Sequence, residues 1–294
     1  MKKFGEFVEH QDLGIINQIA WPVLQKRANG YRTLGTAVSI GKGLAITAWH
    51  YLRELIGENP ENCGEPEKVS VEILVAAYEK EKSRVILWGA VKIFALPDID
   101  VAIIYLGGQE SYGDDAYKQV FAHLDFAIPQ VGTEVAVFGY NRAEIVTTSH
   151  EGGVINQSFS LHPTSALGHV IEVYPTRRDS VLLKYPCFLT DAPFGDGMSG
   201  GPVFDNKTGR VIGVVCSSFD LSELGQPPIS YVSLLWPLLG TSIQVRRIDL
   251  PEGSNCLFHE LYQKGFLRAT GWDPFKAEFG PDGYKFSFER QIPI

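Results

Sequence analysis

The sequence has few cysteines and no closely spaced pair of them. Its 294 residues include 4 cysteines, and no C-x-x-C pair occurs. Structural zinc sites need such spacing, so the cysteines predict no metal site. We expect reduced and mostly buried thiols at Cys63, Cys187, Cys216 and Cys256.

Long apolar runs are also missing. Residues 1–6, M-K-K-F-G-E, carry two lysines but then turn polar and acidic, where a signal peptide would continue with an apolar segment. No later stretch approaches the length of an uncharged membrane span. A formal net charge of -8 disfavours non-specific attraction to nucleic acid or to anionic lipid. We therefore expect a soluble, cytoplasmic chain with no nucleic-acid partner and no membrane partner.

Short β-type runs make up most of the pattern. Hydrophobic residues form 45% of the chain, which is enough for two packed units or one large all-β domain. One set of runs begins near residue 33, where 33–40 and 44–47 predict a hairpin, and a second set begins near Val131. Two antiparallel barrels packed side by side account for this pattern, because closing a sheet removes its exposed edges.

One glycine-rich stretch is the first candidate for a functional site. Residues 195–202 read G-D-G-M-S-G-G-P and precede the apolar residues Val203 and Phe204. Glycines on both sides of Ser199 permit backbone conformations closed to other residues, so the hydroxyl can be exposed while nearby N–H groups face one point. That arrangement suits a nucleophile, although a glycine-rich surface turn has the same composition. A catalytic role requires a base and an orienting acid elsewhere in the chain.

His50 and Asp100 are the candidates for those two roles. His50 lies just after the predicted strand 44–47, and Asp100 stands directly before the apolar run 101–106. An acid in front of a buried strand can be half-buried and still face an imidazole. Taken alone, His50 has the setting of a packed core residue, and Asp100 that of a turn cap. Asp98 is the alternative acid.

The G-x-S-x-G pattern also occurs in the nucleophile elbow of α/β-hydrolases. That elbow requires a buried strand directly before the serine, a helix after it and a histidine later in the chain. Here D-A-P-F-G-D lies upstream of Ser199, and a strand pattern follows it. His259 is the only histidine after Ser199. The strand pattern after Ser199 and the presence of a single later histidine both argue against an α/β-hydrolase.

The three candidates occur in recognisable motifs. His50 ends T-A-W-H after a strand, Asp100 opens D-V-A-I-I, and Ser199 lies in G-M-S-G-G-P-V. In this order they resemble the chymotrypsin-like (trypsin-like) serine proteases, especially the compact bacterial members, over about residues 33–236. The resemblance implies an all-β chain of two packed antiparallel six-stranded β-barrels with short helices and a C-terminal extension. We accordingly predict an N-terminal arm, a first barrel, a second barrel and an extension at residues 1–30, 31–125, 126–245 and 246–294.

The resemblance also implies an activity. A serine endopeptidase would hydrolyse peptide bonds of a polypeptide substrate through a His-Asp-Ser triad and an acyl-enzyme intermediate. Ser199 would attack the carbonyl, His50 would transfer the proton, Asp100 would orient the imidazole, and the N–H groups of Gly197 and Ser199 would bind the oxyanion. No cofactor and no metal enter this scheme. The alternative is a catalytically latent protease-like binding or regulatory module.

Several positions depart from the secreted digestive members of that family. Met198 stands where those enzymes carry an aspartate that pairs with a freed N-terminus. Tyr51 and Gly195 stand where they carry cysteines. We therefore predict neither zymogen cleavage of that kind nor a disulfide framework.

The family's layout also predicts a substrate pocket. Pro193 stands where trypsin-type enzymes place the acid that attracts Lys or Arg, so we expect an uncharged substrate side chain there. The remaining predicted pocket residues are Cys216, Ser217 and Ser218, whose backbone could pair with the substrate as an added strand.

Residues 246–294 extend beyond the resemblance. They contain a short helical pattern with apolar residues on one side and many aromatic residues among Gly and Pro. Two interpretations stay open: the segment packs back onto the barrels, or it binds a regulatory protein partner.

Overall fold

The structure is a computed structural model in which β-strands predominate and the helices are short. It describes residues 4–10, 16–27, 30–56, 73–79, 84–107, 119–151, 154–219, 229–244, 255–271, 275–280 and 283–288. Cys63 lies outside these residues. None of the described helices is long and apolar enough to cross a membrane.

The first barrel closes through six antiparallel strands. Before it come β1 (Phe7–Glu9) and the helix α1 (Ile16–Ile19). Its strands are β2 (Ala20–Arg27), β3 (Gly30–Gly41), β4 (Leu44–Ala48), β5 (Ile73–Glu79), β6 (Arg84–Leu96) and β7 (Val101–Leu106). They pair in the order β2-β3-β4-β7-β6-β5, and β5 returns to β2. The helix α2 (Trp49–Ile56) follows β4 directly.

The hairpin predicted from the sequence is β3 and β4. Val38 pairs with Ile46 across it, and Gly43 turns the chain with a φ of 77°. Strand β2, by contrast, lies within residues 1–30, which we expected to form an arm. Strand β1 of the same segment pairs with a strand of the second barrel.

The second barrel is a ring of six antiparallel strands with additions at its edges. The described residues of this half form β8 (His123–Asp125), β9 (Glu134–Glu151), β10 (Val154–Tyr174), β11 (Cys187–Thr190), β12 (Pro202–Asp205), β13 (Val211–Phe219) and β14 (Ile229–Leu234). Strands β9, β10, β11, β14 and β13 pair in that order, and β12 joins β9 to β13. Strand β1 adds to β10, and β8 pairs parallel with β13. The predicted pair of barrels is confirmed.

Part of the C-terminal extension packs on the core of the barrels. After β15 (Ser242–Gln244) come the elements of the extension: β16 (Asn255–Leu257), α3 (Phe258–Gln263), β17 (Arg268–Thr270), β18 (Phe275–Gly280) and β19 (Gly283–Phe288). Phe258 is fully buried, and its ring meets Phe126 edge-on with centroids 6.4 Å apart. Strand β17 pairs parallel with β8. These contacts favour the packing interpretation for 255–271, and a regulatory partner for 246–294 stays a prediction.

Candidate active site

His50 lies at the start of α2, where it is tied to Asp100. The first N–H groups of a helix have no partner within it. Here the N–H of Trp49 donates to the Asp100 carbonyl oxygen at 3.0 Å, and the N–H of His50 donates to Asp100 Oδ1 at 2.8 Å. The His50 ring then places Nδ1 2.8 Å from Asp100 Oδ2. Backbone and side-chain contacts together fix the imidazole against the carboxylate.

Asp100 has an uncommon backbone conformation. It follows the 3₁₀ turn Pro97–Ile99 and adopts φ 49° and ψ 36°, in the left-handed region. Aspartate tolerates this region better than most residues because its short polar side chain can form local hydrogen bonds. Asp100 is only 8% exposed, whereas Asp98 is exposed. Of the two acids considered from the sequence, the structure places Asp100 against His50.

Ser199 lies in the loop between β11 and β12, which we call the serine loop (residues 191–201). Its Oγ is 3.1 Å from His50 Nε2. Its carbonyl oxygen accepts the N–H of Thr36 at 2.8 Å, and the next N–H, of Gly200, donates to the Val215 carbonyl oxygen at 2.7 Å. The loop is therefore bound to both barrels. Asp100, His50 and Ser199 form one continuous hydrogen-bonded chain across the interface between them.

The two residues predicted to bind an oxyanion, Gly197 and Ser199, both line the cavity beside His50. Gly197 has a φ of 76°, which residues with a side chain rarely adopt. Among the described residues, no acceptor receives a hydrogen bond from either N–H. The described hydrogen bonds of the fold therefore use neither N–H group.

Gly200 lets the serine loop approach the first barrel closely. It has a φ of 80°, and a Cβ there would lie 2.2 Å from Thr47 Oγ1, 2.4 Å from the Thr36 carbonyl oxygen and 2.5 Å from Ala48 N. Gly209 has a similar φ of 68°, but a Cβ there would meet nothing within 4 Å. A side chain at either glycine would strain the backbone, but only a side chain at Gly200 would also clash with neighbouring atoms.

We expect Gly200→Ala to destabilise the protein much more than Gly209→Ala. Both variants put alanine at positive φ, which costs about 1–2 kcal/mol. Only Gly200→Ala adds a clash with main-chain atoms, and overpacking of that kind costs about a further 1–3 kcal/mol. Urea unfolding of the two variants measures the difference in the free energy of unfolding. Equal losses would contradict the close approach of the serine loop to the first barrel.

Cys216 is a buried residue near Asp100. Its thiol contacts the Tyr185 hydroxyl. Burial, and after it the negative charge of Asp100, raises the pKa of Cys216 well above its usual range. Burial likewise raises the pKa of Tyr185. The thiol and the phenol are therefore neutral groups beside the carboxylate.

The buried thiols predict a loss of stability at alkaline pH. Burial raises the pKa of Cys187 to about 12, and that of Cys216 is also raised. Above about pH 9 the unfolded chain loses these protons while the folded chain keeps them. The folded state then binds more protons, so the free energy of unfolding falls as pH rises, by about 1.4 kcal/mol per pH unit for each thiol.

Urea unfolding at about pH 8 and about pH 10 tests this dependence. We expect a lower midpoint at the higher pH. The variant Cys187→Ser, which removes one of the three described buried thiols, should show a weaker dependence of its midpoint on pH. A wild-type midpoint that stays constant over this range would contradict the buried, protonated state of the thiols.

A cavity of about 740 Å³ opens beside the Ser199 hydroxyl. One wall carries Val181 and Leu182, whose exposed fractions are 73% and 66%. Asp179 holds this wall, because its Oδ1 accepts the N–H groups of Val181 at 2.8 Å and Leu182 at 2.6 Å. The hydrogen bond from the Val181 N–H, together with those from the N–H groups of Leu182 and Leu183, lowers the pKa of Asp179. The cavity thus has a partly apolar wall on a firmly held turn.

Three of the four residues predicted for the substrate pocket border this cavity. They are Cys216, Ser217 and Ser218. Pro193 is buried, and its neighbour Phe194 forms the wall instead. Besides Asp100, the charged residues around the cavity have both signs: Arg53, Asp98, Lys184 and Asp196. Among the described lining residues, no single charge therefore dominates.

Sequence reasoning did not identify Tyr185, Phe194 or the wall formed by Val181 and Leu182. Only Phe194 could have been found from the sequence, because it directly follows Pro193, one of the predicted pocket residues. The others lie outside any motif and reach the site through the fold. Within the part of the chain that the structure describes, no three His, Cys, Asp or Glu residues form a group that could hold a metal ion.

Comparison with known proteins gives one family and several solved structures. A family model described as a trypsin-like peptidase domain matches residues 35–214. No curated protein sequence matches the chain. The chain is similar to the MamO protease domain of Magnetospirillum magneticum, with 14% identity, coverage of 74% of this chain and 92% of that chain, and a TM-score of 0.47.

Two further solved structures have the same degree of similarity. Rv3671c of M. tuberculosis H37Rv has 17% identity, coverage of 74% of this chain and 82% of that chain, and a TM-score of 0.42. Neuropsin, a serine protease expressed in the limbic system of mouse brain, has 13% identity, coverage of 78% and 94%, and a TM-score of 0.49. The family match, which spans more than half of the chain and includes the serine loop, is decisive. The chain belongs to the trypsin-like peptidase family.

Proposed function

We propose that this protein is a serine endopeptidase. The observation that carries the proposal is the chain of hydrogen bonds from Asp100 through His50 to Ser199, which ends at the cavity. Its two distances, 2.8 Å from Oδ2 to Nδ1 and 3.1 Å from Nε2 to Oγ, are those that a general base and its nucleophile need.

In the proposed first step, Ser199 Oγ attacks a peptide carbonyl carbon while His50 Nε2 takes the hydroxyl proton. The carbonyl oxygen becomes negative and is stabilised by the N–H groups of Gly197 and Ser199; one such donor is worth about 3 kcal/mol of barrier. His50 then protonates the leaving amine, the C–N bond breaks, and Ser199 carries the acyl group as an ester. Asp100 keeps the proton on Nδ1 and stabilises the imidazolium.

Water completes the proposed cycle. His50 Nε2 removes a proton from the water as its oxygen attacks the ester carbonyl, and the same N–H donors stabilise the second oxyanion. His50 returns the proton to Ser199 Oγ as the ester bond breaks, which releases the new carboxyl end and restores the enzyme.

We propose an extended polypeptide segment as the substrate, with uncharged side chains near the cut. The backbone of 216–218 borders the cavity, where it can pair with such a segment as an added strand. Phe194 and the exposed Val181 and Leu182 favour apolar side chains. The described cysteines are free thiols, which supports the cytoplasm as the working compartment.

Digestion of casein, an unfolded protein, tests this function. The full-length protein is incubated with casein, and mass spectrometry identifies the new chain ends. We expect cuts after uncharged residues, and their loss in His50→Ala. Intact casein in the presence of folded protein, or equal cutting by His50→Ala, would contradict the proposal.

A further inference from the structure

We propose that Thr36 is a positioning residue that holds the two oxyanion N–H groups in place. This role rests on the proposed function. Thr36 lies fully buried on β3, where the first barrel meets the serine loop. Its Oγ1 donates to the Gly197 carbonyl oxygen at 2.8 Å, and its own N–H donates to the Ser199 carbonyl oxygen at 2.8 Å. Thr36 therefore binds the carbonyl oxygens of both Gly197 and Ser199, the two residues whose N–H groups are the proposed oxyanion donors.

The Thr36 hydroxyl has a rigid second partner. Its Oγ1 accepts the N–H of Tyr140 at 3.0 Å, so both its donor and its acceptor are used. Tyr140 is buried, and its hydroxyl lies 3.1 Å from Asn17 Oδ1 and 3.0 Å from the Ala20 carbonyl oxygen. A Cβ on Gly197 would lie 2.3 Å from the Tyr140 carbonyl oxygen. The hydroxyl thus joins Gly197 to a fixed strand of the second barrel.

The first barrel fixes Thr36 from the other side. Its carbonyl oxygen accepts the hydroxyl of Thr47 at 2.6 Å, and that hydroxyl also contacts the Tyr51 hydroxyl. Tyr51 and Thr47 are buried. Thr36 is therefore held by β4, which leads directly into α2, the helix that carries His50.

Two backbone bonds lie within the serine loop, from Met198 N–H to the Gly195 carbonyl oxygen at 3.2 Å and from Gly201 N–H to the Met198 carbonyl oxygen at 2.8 Å. Among the described hydrogen bonds, neither of them binds the Gly197 carbonyl oxygen. Gly197 and Gly200 have no side chain to restrict their torsion angles. Met198 is fully buried, and its thioether sulfur lies 3.2 Å from the Gly195 nitrogen, a weak acceptor without charge. No ion pair can form at this position, since methionine does not ionise. The Gly197 carbonyl belongs to the peptide unit that lies between the two donor N–H groups, and the Thr36 hydroxyl fixes this unit from outside the loop. A fixed central unit restricts the donors on both sides of it.

Loss of this hydroxyl should affect the transition state more than the bound substrate. The oxyanion forms only as the carbonyl is attacked, so misplaced donors lower kcat and change KM little. For Thr36→Val, which keeps the shape but removes the hydroxyl, we expect kcat to fall about 10- to 100-fold and KM to change less than about threefold. Thr36→Ser keeps the hydroxyl and should retain kcat within about threefold.

Steady-state kinetics on an uncharged peptide substrate test this role, with a peptide aldehyde as a second probe. The aldehyde adds to Ser199 and places an oxygen at the same donors, so its inhibition constant should rise by the same factor as kcat/KM falls in Thr36→Val. Thermal unfolding checks that each variant is folded at the assay temperature. Thr36→Ala, which needs less space, replaces Thr36→Val if the latter does not fold.

The outcomes separate this role from the proposed function. A wild-type protein that is folded but inactive refutes the proposed function and this role with it. An active wild type with an equally active, folded Thr36→Val or Thr36→Ala refutes the role of Thr36 alone. The same holds if KM rises while kcat and the inhibition constant stay constant, or if Thr36→Ser loses as much as Thr36→Val.

Discussion

Replacing Ser199 by alanine should lower kcat/KM for a peptide substrate by at least about 10⁴-fold and leave the fold intact. The Oγ of Ser199 is the atom that we propose forms the acyl-enzyme, and no other hydroxyl lies as close to His50 Nε2 among the described hydrogen bonds. The Ser199 side chain is only partly buried, so its loss should change the free energy of unfolding by less than about 0.5 kcal/mol. Hydrolysis of an uncharged fluorogenic peptide measures the effect.

Ser160→Ala is the matched control for that experiment. Ser160 is an exposed serine on β10 that contacts His162 at 3.0 Å and does not line the cavity. We expect its rate to stay within about twofold of the wild type. Substantial hydrolysis by folded Ser199→Ala would show that another residue supplies the nucleophile.

The second large effect is expected for Asp100→Asn, with a fall in kcat of about 10⁴-fold. Asparagine also tolerates the left-handed conformation at this position, so the backbone should not change. In the wild type, one Asp100 oxygen accepts the backbone N–H of His50 and the other lies against His50 Nδ1. The asparagine amide has only one oxygen, so its NH₂ group would face one of these two nitrogen atoms. A donor facing Nδ1 would favour the wrong tautomer, in which Nε2 carries the proton and cannot serve as the base.

Asp98→Asn makes the same chemical change two residues earlier, on an exposed carboxylate. We expect it to change kcat less than about fivefold, because the His50 contacts belong to Asp100. Circular dichroism and thermal unfolding confirm that both variants are folded. A larger loss in Asp98→Asn than in Asp100→Asn would reverse the assignment of the orienting acid.

The parts of the fold that the sequence predicted are those with a local signal. The β3–β4 hairpin shows as two apolar runs around a glycine turn, and the serine loop as a dense set of glycines. Strand β2 was missed because Pro22 interrupts its pattern. Pro22 precedes Val23, where pairing with β5 begins, so its missing N–H falls outside that paired stretch.

The length of β10 was missed for a related reason. Its segment contains Pro163, which interrupts a local strand pattern, whereas the structure has one strand from Val154 to Tyr174. The pairing with β9 shifts register between His162 and Pro163, and a proline is accommodated at such an irregularity. A bulge of this kind depends on the partner strand, which the local sequence does not specify.

Contacts between distant segments account for the rest of the site. Thr36 lies 161 residues from Gly197, and a single threonine in a strand has no motif. Cys216 borders the cavity, as expected from its place in the family's layout, but the contact of its thiol with Tyr185, 31 residues away, has no local signal. The choice between Asp98 and Asp100 likewise depends on a backbone torsion angle rather than on residue type.

The most direct test of the central claim is labelling of the full-length protein, with Met1 retained, by a fluorophosphonate probe. Mass spectrometry of the intact protein and of its peptides then locates the adduct. We predict one phosphonyl group on Ser199 in the wild type, none on Ser199→Ala and strongly reduced labelling of His50→Ala. A folded wild-type protein that takes up no probe, or takes it up at another residue, would contradict the account and favour a latent binding module.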